Sequence, residues 1–486
     1  MHKPNILILA TVVLIGSFYL ATLRDGNIWG GDCSLYVAHA RNLVEGRDYA
    51  DTGYIYNPHF PSLSPRTYPP VFPLLLTPVY LLFGMNLTAM NVFVVLHFMA
   101  FLWVLSLLLR RHLSLPYVMA CLLLVGLNPY YWQHKDRLLS EMPFMLFVYL
   151  ALLLIEKAHE PGRTRLWVWG LATGAVAFLA FGTRTVGVIL IPSLIACELV
   201  RTRRLGSFAL TAVATFTVGV LLEKLLLILD GSYLDQVTFD PLLSARIALS
   251  EVKALLALFV ENHDSLAVSR TLSICVLALA GLTCLVRLRS GLRAYDWFVV
   301  FNFLLLTVYP DAEGERRYQM PVMPLLFLYV CEGLSRLRMM TWGRFVTPVA
   351  ATLGLAVLVS YANRYHHLLE AGPVRATVNT TDSVELFDYI KAHTRPDDVF
   401  LIEVPRTLAL YTGRRASGFH VPPSDEHLLN YLREIGATHV VLCRKFTGSQ
   451  NVLEPFLERQ AERFDQVYAG GQFVLYRVRQ DAVARR

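Results

Sequence analysis

Residues 31–49 read GDCSLYVAHARNLVEGRDY, and the reading of this stretch decides the fold. It follows closely on an apolar run of membrane-spanning length, residues 6–23. Asp32 comes first. Tyr36, Ala40 and Leu43 then recur at helical spacing, so they share one face of a short helix. Gly46 stands where such a helix stops, and Tyr49 lies just beyond. Asp32 is thereby placed at the start of a helix just outside a membrane. A carboxylate there can take a proton from a hydroxyl, or hold a cation, beside lipid-borne chemistry. The plainer reading is an acid that satisfies a helix N-terminus.

Working outward, the 486 residues are 55% hydrophobic, and the apolar residues fall in runs long enough to span a bilayer. The fold class expected is an α-helical multi-span membrane protein with a small C-terminal α/β extracytoplasmic domain. About eleven transmembrane helices are expected, at 6–23, 87–109, 114–132, 142–156, 166–182, 185–200, 208–229, 271–286, 297–310, 319–335 and 345–361. The first run lacks a strong basic n-region and reads as a span rather than a cleaved signal. Residues 68–84 hold four prolines (Pro69, Pro70, Pro73 and Pro78), which argues against a simple spanning helix. If that stretch does not cross, the ends at 1–4, 110–113, 156–165, 201–206, 287–296 and 336–344 share one side. Together they carry fifteen Lys or Arg against three Asp or Glu. That is the positive-inside pattern and marks those ends as cytosolic. Residues 68–84 are then expected as a broken helix on the outer surface.

The outer side collects the chemistry. It receives the first loop, 24–84 with its Pro-rich end, the 128–141 segment, a tight turn holding Arg184, the 230–270 loop with an amphipathic helix near 243–260, and the loop 311–320. The membrane domain is expected over 1–365 and the outer α/β domain over 375–486. In the latter, helices are expected at 382–392, 425–435 and 451–463, and strands at 399–403, 438–443, 465–469 and 473–478. Its fifteen Lys or Arg balance fourteen acids, so its charge does not mark it as a polyanion binder. The net charge of +7 comes from topology, not nucleic-acid binding. The seven cysteines show no metal-ligand spacing. Walker, HExxH and supported GxSxG patterns are absent, as is a DxD pair in the first outer loop.

Two acids and a set of basic residues are the candidate site. Glu141 opens a span behind Ser140, where it needs a task or simply satisfies the helix dipole. Arg66, Lys135, Arg137, Arg184, Arg316 and Arg317 lie on the outer side, where the positive-inside rule does not require them. Guanidinium and ammonium groups there suit a departing phosphate; pairing with headgroups or nearby acids is the alternative. Arg317-Tyr318 with Pro321 and Pro324 opens a late span.

In this order the residues carry a resemblance. Asp32, Tyr36, Ala40, Leu43, Gly46 and Tyr49 form D-x3-Y-x3-A-x2-L-x2-G-x2-Y. Tyr68-Pro69-Pro70, Ser140-Glu141, Arg184 and Arg317-Tyr318-x2-Pro-x2-Pro follow. The set resembles the GT-C class of membrane glycosyltransferases, and within it the protein O-mannosyltransferase and lipid A aminoarabinose transferase group. The resemblance implies a polyprenyl-phosphate-linked sugar as donor, a hydroxyl on a lipid or glycan as acceptor, and a bilayer as the setting. It implies Asp32 as general base and Glu141 as the second acid. Arg66 and Tyr68, with the outer Lys135, Arg137 and Arg184 and the late Arg317 and Tyr318, become the donor-phosphate and lipid-sugar contacts. No cofactor is implied as certain, and a divalent metal is not expected to be obligatory. The setting expected is a bacterial inner membrane with the site on the periplasmic face. The competing readings are a transporter or flippase for a lipid-linked sugar, which predicts inverted repeats and broken midplane helices, and a non-catalytic binding protein. Neither repeats nor broken midplane helices are visible in the sequence.

Overall fold

The computed structural model describes residues 3–24, 28–59, 64–227, 236–256, 266–310, 316–339, 343–370, 378–419, 421–422 and 424–479. Parts of the 230–270 and 311–320 loops therefore lie outside the described residues. The helices, in chain order, are α1 Lys3–Ala21, α2 Gly31–Glu45, α3 Val71–Phe83, α4 Leu87–Leu109, α5 Leu115–Gly126, α6 Pro129–His134, α7 Glu141–Ala158, α8 Leu166–Thr183, α9 Leu190–Thr202 and α10 Ser207–Leu227. They continue with α11 Pro241–Leu256, α12 Leu266–Ser290, α13 Ala294–Thr307, α14 Met323–Arg338, α15 Gly343–Glu370, α16 Thr381–His393, α17 Pro405–Thr412, α18 Asp425–Glu434 and α19 Glu454–Arg459. The chain forms two compact units. One comprises Met1–Leu23, Asn91–Ile228 and Ser232–Gly372; the other comprises Arg24–Met90, Leu229–Gly231 and Pro373–Arg486.

The first unit is helical. Among the described residues, seven helices are long and apolar enough to cross a membrane, and Leu115–Gly126 and Ala294–Thr307 are shorter apolar helices. The single span expected over 114–132 is interrupted. After α5 the chain breaks at Leu127, and Asn128 restarts it as the N-cap of α6, its side chain accepting from the Tyr130 amide at 2.9 Å. Helices α8 and α10 pack backbone to backbone. A Cβ at Gly170 would stand 2.5 Å from the Phe208 carbonyl, and one at Gly174 2.3 Å from that of Ala212. The basic span ends meet in one network. Arg110 bonds Asn5. Arg111 pairs with Glu160 at 2.6 Å, and Arg201 and Arg293 pair with Glu156 at 3.1 and 3.0 Å. Arg287 reaches Asp296 at 2.8 Å and Glu332 at 2.6 Å, and Glu332 also holds Arg336 at 2.7 Å. The six ends grouped by charge counting thus include interacting residues from nearly every one.

The second unit is α/β. Its six-stranded sheet has the order β1-β3-β2-β4-β6-β5, from β1 Tyr54–Ile55, β2 Val399–Leu401, β3 Arg415–Ser417, β4 His439–Cys443, β5 Phe464–Gly470 and β6 Phe473–Val478. The first four strands run parallel, and β6 joins β4 antiparallel to begin a hairpin with β5. The central strands are apolar on both faces, as a covered parallel sheet requires. One core gathers Leu401, Val440, Leu442 and Leu428; the other gathers Phe400, Val441, Leu386 and Trp29. Trp29 is fixed by donating to Ser383 at 3.0 Å.

The first outer loop was expected with the spans, but 24–90 falls into this unit. Strand β1 extends the sheet by pairing with β3, Tyr54 opposite Ala416. Helix α2 packs between α3 and α17. It is buried on most of its circumference, with Leu35, Val37, His39 and Asn42 enclosed as well as Tyr36 and Ala40. The one-sided face read from its period was too narrow a description. Gly46 ends the helix with φ of 67°, the left-handed conformation that glycine accepts without strain. Residues 71–83 form a continuous helix, not a broken one. Pro73 falls in the first turn, where no intrahelical donor is lost. Pro78 removes the donor to the Leu74 carbonyl, and the Thr77 hydroxyl supplies one instead at 2.7 Å.

Candidate active site

Asp32 lies one residue inside the start of α2, where the helix N-terminus favours a carboxylate. Two donors converge on one of its oxygens. The Tyr68 hydroxyl donates to Oδ1 at 2.6 Å, and Arg406 approaches the same oxygen at 3.4 Å. Arg406 also donates to the Tyr68 hydroxyl at 2.7 Å. The three groups form a relay in which Arg406 holds Tyr68 and both hold Asp32. Arg406 is positioned by stacking, its guanidinium 5.0 Å from the Tyr54 ring centroid and 5.4 Å from that of Tyr68. Gly31 makes room for it, since a Cβ there would lie 3.1 Å from the arginine side chain. Next to Arg406, Thr407 bonds Ser34 at 2.9 Å and locks α17 onto α2. Asp32 keeps 30% of its side chain exposed, so it is both held and reachable.

The surroundings fix protonation states. Burial, with the Asp32 charge next, pushes the Tyr68 hydroxyl well above its ordinary pKa. Tyr68 therefore remains a donor. Seven residues after Asp32 on α2, His39 is enclosed and stacked on Tyr49 at 4.0 Å. Burial pulls it down to about 4, the Tyr49 carbonyl opposes the shift, and the Arg406 charge adds to it. Its Nδ1 meets the Tyr49 carbonyl at 2.7 Å, so that nitrogen carries the proton and the ring is neutral. Tyr49 closes the circuit by donating to the Tyr68 carbonyl at 3.0 Å. Arg66 sits on a short 3-10 turn capped by Ser64 and lines a cavity of about 430 Å³ with Asp48, Asp51, Tyr54 and Tyr56.

A second cluster forms within the helical unit. Arg184, in the turn after α8, donates to Glu141 at 2.8 Å and to Ser140 at 3.3 Å. Its guanidinium lies 5.4 Å from the Tyr318 ring centroid, and that of Arg317 lies 5.2 Å from the same ring. Four residues expected in the site, Glu141, Arg184, Arg317 and Tyr318, are brought together from three separate stretches of chain. Two arginines with one carboxylate leave a net positive cluster. Arg137 is exposed, and it and Arg317 both act electrostatically on His134. Lys135 is placed differently. It is fully buried, paired with Asp136 at 2.7 Å, and its ammonium lies over the Trp132 ring at 3.7 Å. Among the described residues, no three His, Cys, Asp or Glu side chains are grouped to hold a metal.

Arg406, Tyr54 and His39 are the site residues that sequence reading missed. A signal for Arg406 was present. Pro405 and Gly413 bracket a helix in the expected N-terminal Pro, C-terminal Gly order. That places an arginine in the first turn, where the dipole disfavours a cation, unless a carboxylate faces it.

Comparison with known proteins bears on the fold. Residues 67–227 match the family model described as dolichyl-phosphate-mannose-protein mannosyltransferase. No curated protein matches the chain by sequence. Among solved structures, ArnT from Cupriavidus metallidurans bound to undecaprenyl phosphate is 13% identical with a TM-score of 0.61, covering 99% of this chain and 99% of that one. The arabinofuranosyltransferase AftD from Mycobacteria is 12% identical with a TM-score of 0.60, covering 98% of this chain and 40% of AftD. The oligosaccharyltransferase AglB from Archaeoglobus fulgidus, in complex with an inhibitory peptide and a dolichol-phosphate, is 11% identical with a TM-score of 0.60, covering 90% and 69%. At these identities the solved structures show a shared fold, to which the family model adds a match over residues 67–227. The chain resembles ArnT in fold and the protein mannosyltransferases over residues 67–227.

Proposed function

We propose that this chain transfers a sugar from a polyprenyl-phosphate donor to a hydroxyl acceptor on an envelope lipid or glycan, on the outer face of a bacterial inner membrane. The observation that carries the reading is Asp32, held at one oxygen by Tyr68 and Arg406 and still 30% exposed, in a chain of GT-C fold. In the step proposed, Asp32 takes the proton of the acceptor hydroxyl. The acceptor oxygen bonds to the anomeric carbon as the bond from that carbon to the phosphate oxygen breaks. The electron pair leaves on the polyprenyl phosphate, and configuration at the sugar inverts. Tyr68 and Arg406 fix Asp32 through Oδ1, and the exposed part of its side chain meets the acceptor. In the helical unit, the guanidinium groups of Arg184 and Arg317 are of the kind that holds a phosphate. Glu141 orients Arg184. The polar cavity beside Arg66 suits the hydroxyls and ring face of an acceptor sugar.

The test uses the full chain in nanodiscs with a panel of polyprenyl-phosphate sugars, following donor consumption for wild type and Asp32→Asn. Turnover of one donor that disappears in the variant, with thermal stability retained, supports the proposal. Intact donors with both proteins, one of them bound equally well by each, would refute it in favour of a carrier or binding protein.

A further inference from the structure

The helical unit contains a cavity that the transfer chemistry does not use. It lies among α5, α12, α14 and α15 and measures about 450 Å³, within the range of small-molecule sites. Its wall is almost wholly apolar, and small residues, among them Ala120, Ala351 and Gly354, hollow it out. Polar side chains gather toward one end. Tyr117 lies in the first turn of α5, Arg338 ends α14, and Thr347 lies in the first turns of α15. Among the described residues, no Asp or Glu lines the cavity.

On the neighbouring α12 and on α14 itself, Arg287 and Arg336 are each paired with an acid. Arg338 is exposed and has no side-chain hydrogen bond or ion pair among the described residues. A guanidinium at the mouth of an apolar cavity suits an anion whose body is hydrocarbon. We infer that the cavity binds an anionic glycerophospholipid, one acyl chain lying between the four helices and the phosphate on Arg338, with Tyr117 and Thr347 donating to head-group oxygens.

Charge selects the headgroup. With no carboxylate in the wall, the ammonium of a zwitterionic lipid finds no partner, while a net negative head meets Arg338. Position sets this lipid apart from the sugar donor. Arg317 and Tyr318 precede α14, and Arg338 ends it. The 16 residues of that helix span roughly 24 Å. A donor phosphate on the arginine cluster therefore cannot also occupy the Arg338 end. The site is independent of the transfer chemistry.

Native mass spectrometry of the full chain tests the inference, after exchange into a mixture of phosphatidylglycerol, phosphatidylcholine and undecaprenyl phosphate. Two variants accompany wild type. Arg338→Gln removes the head-group contact. Gly354→Leu fills the cavity from a position where an added Cβ meets nothing within 4 Å, so the fold can accept it. Wild type should retain phosphatidylglycerol, Arg338→Gln should retain at least tenfold less, and Gly354→Leu should retain none at an unchanged melting temperature. Equal retention of phosphatidylcholine, insensitive to both variants, would mean bulk annular lipid and overturn the inference. Retention of undecaprenyl phosphate in place of phosphatidylglycerol, lost in Arg338→Gln, would overturn the choice of occupant. No retained lipid at all would also overturn it.

Discussion

Arg406 is the residue whose removal tests the proposed active site most sharply. In Arg406→Ala, Tyr68 loses the donor at 2.7 Å, and Asp32 loses a guanidinium at 3.4 Å. At an effective dielectric of 20, two unit charges at that distance attract by about 5 kcal/mol. Asp32 is 30% exposed and Arg406 12%, so solvent screening reduces this well below the full value. A hydrogen bond to a charged group contributes about 1.5–3 kcal/mol. Taking about 2 kcal/mol for the lost positioning of Asp32, kcat should fall about thirtyfold. The assay is donor turnover in nanodiscs across a pH series, with the melting temperature measured in parallel. Because a nearby cation favours a carboxylate, the acid limb of the rate profile should move to higher pH in the variant. Added guanidinium should restore part of the rate, and Arg406→Lys should lie between wild type and alanine, since an ammonium replaces the charge but not the planar fork. A folded Arg406→Ala protein with wild-type kcat and an unshifted profile would refute the reasoning, and would leave Arg406 as packing for Tyr54 alone.

Three further outcomes follow from the same geometry. Tyr68→Phe keeps the ring packed against Tyr36 at 5.7 Å but removes the 2.6 Å donor to Asp32, so kcat should drop about tenfold with KM for the donor nearly unchanged, read by steady-state kinetics. Arg184→Ala and Glu141→Gln should each weaken donor binding, and their double mutant should lose less than the sum, because Glu141 acts through Arg184; isothermal titration of a donor analogue measures the cycle, and strict additivity would count against that role. His39 gives a pH prediction. Its native value of about 4 lies below the ordinary 6.5, so between those values the unfolded chain binds a proton that the folded one refuses. Stability is therefore full above about pH 6.5 and is lost as pH falls toward 4, by up to about 3 kcal/mol. His39→Gln should flatten that acid limb in chemical denaturation at pH 5 against pH 7.

Local pattern determined a good deal of this protein. Run length and hydropathy located α4 at 87–109 and α8 from 166, because a helix crossing hydrocarbon must satisfy every backbone group within itself and so needs an unbroken apolar run. Basic residues mark the span ends in the sequence, and Glu156 and Glu332 form ion pairs with several of them. Asp32, Glu141, Arg184 and Arg317 were legible as candidates because charge beside lipid needs a reason, and Tyr318 because it follows Arg317 in the late motif of the resemblance.

Only tertiary structure decided their partners. Tyr68 is 36 residues from Asp32, and Arg406 is 374 away. No periodicity reports a separation of that size, because such contacts arise from packing α17 on α2. The same holds for β1, whose two residues carry no strand signal alone and become a strand by pairing with β3. Lys135 and Arg184 read alike in sequence as outer cations. Packing separates them, enclosing Lys135 against Asp136 and Trp132 while setting Arg184 beside Glu141 and Tyr318. Charge is written in the sequence, but whether a charge is enclosed with its partner or presented to a substrate depends on which distant side chains the fold brings around it.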